Sequence, residues 1–186
     1  MEIILAENHG FCYGVKRAVE MANEAANGKG KSYTLGPIIH NPQVVNRLES
    51  KGVSPIQEVS DIDEGTMIIR SHGVGPAIYE EAEEKGLAIV DATCPHVKKA
   101  QQDAKSVIED GMTLVILGEK NHPEVKSINL WANNKGIIIE DEDSAKNLQV
   151  VEKMGVVVQT TFSQFKFNSI IEILEKKSKN LKIFKT

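Results

Sequence analysis

The sequence predicts an α/β fold of two similar domains with mostly parallel sheets, and two observations predict it. The first is an internal repeat. Displacing the chain by 82 residues, the interval from Cys12 to Cys94, superposes Val15 on Val97, Lys16 on Lys98 and Ala18 on Ala100; it then superposes Leu35 on Leu117, Gly36 on Gly118 and His40 on His122, without a gap. Self-similarity at a fixed period marks duplicated structural units. The second is the alternation of short β-rich runs with helix-period stripes, which builds parallel sheets from strand–helix–strand units. The expected domains are residues 1–93 and 94–186.

Each element follows from its own residues. EIILA (2–6) reads as a strand, with no unit of its own before it. After Cys12, apolar residues at Val15, Ala18, Val19, Ala22, Ala25 and Ala26 form the stripe of an amphipathic helix that Gly28 can stop. YTLG (33–36) is strand-like, and HNP (40–42) puts a proline in the first turn of a following helix. TMIIR (66–70) is a strand leading into SHGVGP (71–76) and the helical IYEEAEEKG, and LAIV (87–90) is the strand before Cys94. The second half repeats the order. Val97, Ala100, Ala104, Val107 and Ile108 stripe a helix that ends near Gly111. TLVILG (113–118) is a strand before HPE (122–124), and VVVQ (156–159) a strand before TTFS (160–163) and the helical SQFKFNSIIEILEKK. In the closing NLKIFKT, Leu181 and Ile183 match Leu87 and Ile89 on a shift of 94, which puts a counterpart of Cys94 just past Thr186. The expectation is a third unit, absent here, that carries its own cysteine and that strand 2–6 completes.

Both cysteines sit where a strand hands over to a helix N-terminus, and both histidines of the repeat, His40 and His122, sit at or just before a helix start. Amide donors and the helix dipole there favour thiolate over thiol and attract anions. Ligands of parallel sheets bind at the carboxyl ends of the strands, where all these residues fall. Two cysteines behind an N-terminus without a secretory leader point to metal or redox chemistry rather than a disulfide framework, and to the cytoplasm. A zinc site lacks the close Cys/His spacing that zinc needs. Net charge is −4 with no basic block, which excludes a nucleic-acid face, and no apolar run reaches the roughly 18 residues of a membrane span. His9 and His96 do not repeat and read as structural, Trp131 as packing, and EEAEEKG and EDEDSAKN as solvated faces. Glu124 by itself reads as an ordinary first-turn acid.

The phrases GFCYGVKRAV, LGPIIHNPQVV, IIRSHGV, DATCPHV, LGEKNHPEV and VVQTTFS, in that order along the whole chain, resemble the LytB/IspH family of 4-hydroxy-3-methylbut-2-enyl diphosphate reductases. The resemblance implies three pseudo-threefold α/β domains around a [4Fe-4S] cluster, each giving one cysteine, with the third domain absent from this chain. It makes Cys12 and Cys94 cluster ligands, and His40, His72 and His122 diphosphate-binding residues. Glu124 becomes the proton donor, acting with His122, and Thr160 a residue that places substrate and relays the proton, with Gln159 and Thr161 behind it. The implied substrate is a small allylic diphosphate and the implied electron donor a ferredoxin or flavodoxin. With two thiolates instead of three, the 186 residues alone are expected to lack reductase activity. The rival expectation is a cluster-free α/β module that binds a diphosphate without redox chemistry.

Overall fold

Two four-stranded sheets, parallel throughout, carry the fold in the computed structural model, which describes residues 3, 4, 7, 9–28 and 30–184. They belong to two compact units. Unit 1 holds the described residues up to Ser71 together with Leu87–Cys94; unit 2 holds His72–Gly86 and the chain from Pro95 onward.

In unit 1 the strands β1 (Ser32–Leu35), β2 (Val53–Ile56), β3 (Thr66–Ile69) and β4 (Ala88–Asp91) lie in the order β2-β1-β3-β4. Helices α1 (Tyr13–Ala26) and α2 (Pro42–Glu49) bury one core with the sheet, built on Ala18, Ala22, Leu48, Val53 and Ile68. The predicted stripe on α1 is the buried one: Ala18 and Ala22 are fully enclosed. Cys12 is its N-cap. Asn41 caps α2, its side chain accepting from Val44 N–H at 3.2 Å.

In unit 2 the strands β5 (Thr113–Leu117), β6 (Ile137–Ile139), β7 (Val151–Val158) and β8 (Ser178–Phe184) repeat that order as β6-β5-β7-β8. Here both faces are covered. One core lies against α4 (Pro95–Glu109) and α5 (Pro123–Trp131), with Ala104, Val107, Leu114 and Ile128 inside. The other lies against α6 (Glu142–Asn147) and α7 (Gln164–Glu175), with Val115, Met154, Ile170 and Leu174 inside. Gly155 lets α4 approach, since a Cβ there would come within 2.5 Å of Val107 Cγ2. The helix α3 (Pro76–Glu84) also groups with this unit.

The repeat is thus visible in the topology: α1, β1, α2, β2, β3 and β4 recur as α4, β5, α5, β6, β7 and β8. The match of Leu181 and Ile183 to Leu87 and Ile89 reflects β8 pairing with β7 as β4 pairs with β3. The strand expected over 2–6 is different. Glu2, Leu5 and Ala6 lie outside the described residues, while Ile3 and Ile4 carry no strand and are 73% and 84% exposed. A strand needs a neighbour for its backbone donors and acceptors, and none of the described strands pairs there.

Candidate functional site

Because every strand is parallel, each sheet presents one carboxyl edge, and the helices that feed the strands begin at that same edge. In unit 1 this brings Cys94 to the first turn of the helix that Cys12 caps. Cys94 follows β4, and its amide donates to Ser71 O at 2.9 Å just past β3. Its sulfur lies over Gly14, in the first turn of the helix that Cys12 caps: a Cβ on Gly14 would sit 2.5 Å from Cys94 Sγ. Arg17, one turn further along α1, donates to Thr93 O at 3.1 Å and ties the Cys94 loop to the helix. Both thiols are free, Cys12 exposed and Cys94 half-buried. Thr93 Oγ1, next to Cys94, is buried without a hydrogen-bond partner. Two accessible thiols at one helix N-terminus, with an unsatisfied hydroxyl beside them, are a donor set that fits a thiolate-bound iron–sulfur group.

His40 stands exposed in unit 1 on the loop between β1 and α2. The repeat equates it with His122, yet the two differ. The proline of HNP lies one place further along than that of HPE, so Asn41 caps α2 and His40 is not a cap. His122 is the N-cap of α5, its Nδ1 accepting from Glu124 N–H at 3.2 Å. An Nδ1 used as acceptor leaves the ring proton on Nε2, which is then a donor.

Unit 2 brings together the other named residues. Glu124, in the first turn of α5, is 2% exposed. Its Oε1 accepts from Thr160 N–H at 2.7 Å and its Oε2 from Thr160 Oγ1 at 2.8 Å, just beyond the end of β7. Burial raises its pKa above the usual carboxylate value, although both Thr160 bonds and the His122 ring pull it down. A carboxyl held this way keeps a proton more readily than a solvated one, and the exposed Thr160 hydroxyl sits between it and the surface. Gln159, buried behind Thr160, accepts from Glu119 N–H at 2.9 Å and donates to Thr161 Oγ1 at 3.0 Å, joining the ends of β5 and β7. The rings of His72 and His122 meet edge to face, centroids 5.4 Å apart.

Sequence reasoning missed the residues that hold this geometry. Ser127 Oγ donates toward His72 O (2.8 Å) and Glu124 O (2.9 Å) and accepts from Gln101 Nε2 at 3.2 Å. Trp131, expected only to pack, donates from Nε1 to Val74 O at 2.8 Å. Leu130 fills the space over Gly75. The loop bearing His72 is therefore fastened along α5. The spacing Glu124, Ser127, Trp131, i, i+3 and i+7 on one helix face, was the available signal.

This is a parallel α/β protein whose thiols, histidines and buried acid lie at the carboxyl ends of its strands, where ligands of such folds bind. Comparison with known proteins makes this particular. Residues 3–186 match the family model described as LytB protein, and the chain belongs to that family. It is 47% identical to the 4-hydroxy-3-methylbut-2-enyl diphosphate reductase of Geotalea uraniireducens, over 100% of this chain and 66% of that protein. The corresponding reductase of Geobacter metallireducens is also 47% identical, with the same coverage. Among solved structures, the E-1-hydroxy-2-methyl-but-2-enyl-4-diphosphate reductase from Plasmodium falciparum superposes with a TM-score of 0.90 at 31% identity, covering 96% of this chain and 57% of that one. The chain thus spans about two thirds (66%) of the length of the curated relatives it matches.

Proposed function

We propose that this chain provides two domains' worth of the active site of a 4-hydroxy-3-methylbut-2-enyl diphosphate reductase of the non-mevalonate isoprenoid route. The reaction takes two electrons and two protons, breaks the allylic C–O bond, and yields water with isopentenyl or dimethylallyl diphosphate. The observation that carries the proposal is the seating of the Cys94 sulfur on Gly14 in the helix capped by Cys12. Residues 82 apart in sequence, Cys94 and the N-cap Cys12, thus come to the N-terminus of one helix, which supports their reading as two ligands of a shared cluster.

Cys12 and Cys94 would hold a [4Fe-4S] cluster, which supplies single electrons and a Lewis-acidic iron for the departing oxygen. The chain's own residues do the rest. Glu124 is the donor of the proton, its pKa raised because burial disfavours its anion. Thr160 Oγ1 accepts it from Oε2 as its own proton passes outward to the leaving oxygen, and solvent recharges the acid. His122, with its proton on Nε2, joins His40 and His72 in gripping the diphosphate, while Ser127 and Trp131 keep the His72 loop in place. Electrons come from a ferredoxin or flavodoxin in the cytoplasm. No helix among the described residues is long and apolar enough to cross a membrane.

The test is anaerobic reconstitution with iron and sulfide, read by iron content and visible charge-transfer absorbance. Wild type is expected to take up iron below four per chain without turnover, and Cys12→Ser or Cys94→Ser to abolish uptake. Uptake that ignores either substitution removes the cluster reading and leaves the redox-free diphosphate module. A stoichiometric four-iron cluster with turnover would overturn the expected inactivity of this polypeptide.

A further inference from the structure

Arg70 ends β3 in unit 1, and nothing above uses it. Its Nε is buried and has no hydrogen-bond partner among the described residues. Burial draws its pKa below the ordinary arginine value. Its guanidinium lies against Gly36, where a Cβ would come within 2.8 Å of Nη1, and Gly36 has φ +70°, the region that favours glycine.

The duplicated unit shows what this position looks like when it is purely structural. The register pairs Leu117 with Val158 in unit 2 and Thr34 with Ile68 in unit 1, so Gln159 is the counterpart of Arg70 and Gly118 that of Gly36. A Cβ on Gly118 would likewise meet the Gln159 side chain, 2.8 Å from Oε1. That amide, however, is satisfied at both ends, by Glu119 N–H and Thr161 Oγ1. In unit 1 the residue matching Glu119 is Pro37, which has no N–H to give. The same place therefore holds a satisfied neutral amide in one unit and, in the other, an arginine whose buried Nε has no partner among the described residues. It also lies between β1 and β3, where connections leave in opposite directions toward β2 and β4, and such switch points are where parallel sheets bind ligands.

We propose that Arg70 is the fixed cation of an anion site at this switch point, and that its ligand is the diphosphate of the substrate. The proposal rests on the diphosphate reading given above. Arg70 lies against Gly36, at the start of the loop that carries His40, and the next residue, Ser71, donates from its Oγ to Ile38 O in that loop at 3.3 Å. Guanidinium suits phosphate oxygens through parallel N–H donors and stays charged where imidazole does not. The side chain as a whole is half-buried, so part of it is open to an incoming anion.

Titration calorimetry of the 186-residue chain with inorganic pyrophosphate tests this. Wild type should bind, Arg70→Gln should bind on the order of tenfold more weakly or worse, and Arg70→Lys should recover most of the affinity. Equal binding by wild type and Arg70→Gln overturns the role of Arg70 while leaving the histidine site intact, as His40→Ala would then still weaken binding. No binding by wild type overturns both. Should Arg70→Gln not fold, the wild-type Nε–H signals decide: the chain has three arginines, Arg17, Arg47 and Arg70. The Arg70 signal must shift on saturation with pyrophosphate, and a stationary signal sinks the proposal.

Discussion

At the carboxyl edge of unit 1, Gly36 faces Arg70, the α2 cap is Asn41 and the residue after it is Pro42; at the edge of unit 2, Gly118 faces Gln159, the α5 cap is His122 and Glu124 follows Pro123. The strand order is the same in both, and so is the glycine that ends the first strand of each sheet. What differs is the charge installed on that scaffold. Unit 1 carries thiols and an arginine with a buried, unpartnered Nε, unit 2 an acid whose pKa burial raises. A duplicated sheet supplies equivalent places, and a one-residue displacement of proline or an amide-to-guanidinium exchange gives each place a separate task.

The largest effect expected from disturbing this division is at Gly14. Gly14→Ala puts a methyl 2.5 Å from Cys94 Sγ, with Cys94 Cβ at 3.2 Å and its Cα at 3.9 Å, so the sulfur must leave its seat. We expect destabilisation of about 1–3 kcal/mol from overpacking and loss of iron uptake. At the equivalent position of the second unit stands His96, which is exposed. His96→Ala should change stability by less than about 0.5 kcal/mol. Urea unfolding and iron content after reconstitution read both variants. If Gly14→Ala keeps its iron, the two sulfurs are not jointly placed by α1 and the contrast between the units loses its first term.

A smaller effect, confined to unit 2, comes from Glu124. Well below its ordinary value of 4.5 the carboxyl is protonated whether the chain is folded or not, and contributes nothing to pH dependence. As pH rises, the unfolded chain ionises first while the folded one retains its proton. Stability must therefore fall from about that value up through the raised folded pKa, and level off above it. Glu124→Gln mimics the protonated acid and removes this slope, so its advantage over wild type should grow from acid toward neutral pH. Unfolding midpoints measured across that range check it. Parallel profiles for the two proteins would mean that burial does not hold the proton, and Glu124 would lose its place as donor. Unit 1 has Pro42 at the equivalent position and can give no such slope.

The sequence made the scaffold legible where each element had a strong period or a repeat partner. Strands β1, β3, β4, β5 and β7 and helices α1, α4 and α7 fall within a few residues of the runs read for them. Two of the edge strands, β2 and β6, escaped. β2 is four residues long and contains Pro55, tolerable only because the strand lies at the sheet edge; β6 is three residues long. For the site, the repeat pointed to Cys12, Cys94, His40 and His122, but it did not show that the helix cap falls on His122 in one unit and on Asn41, one residue past His40, in the other. Nothing local marks Glu124 as buried, since its enclosure depends on Thr160, 36 residues away. Gly14, Ser127 and Arg70 acquire meaning only from what tertiary structure lays against them.

The smallest expected effect compares the hydroxyls that follow β3 and β7. Thr160 Oγ1 donates to Glu124 Oε2 at 2.8 Å, whereas its counterpart Ser71 donates to Ile38 O at 3.3 Å, an oxygen that the Ser71 amide also reaches at 3.4 Å. A bond to an ionisable acid should be worth about 1.5–3 kcal/mol when the acid is charged, a neutral one about 0.5–1.5 kcal/mol. At neutral pH, Thr160→Val should therefore cost more than Ser71→Ala, and should push the Glu124 pKa still higher, since one of the contacts that lowers it is lost. Lowering the pH should shrink the Thr160→Val cost toward that of Ser71→Ala as the acid gains its proton. If the costs are already equal at neutral pH, Glu124 is protonated there in the resting protein. Its Oε2 then carries the hydrogen, the Thr160 hydroxyl is the acceptor, and the relay is charged before any substrate arrives.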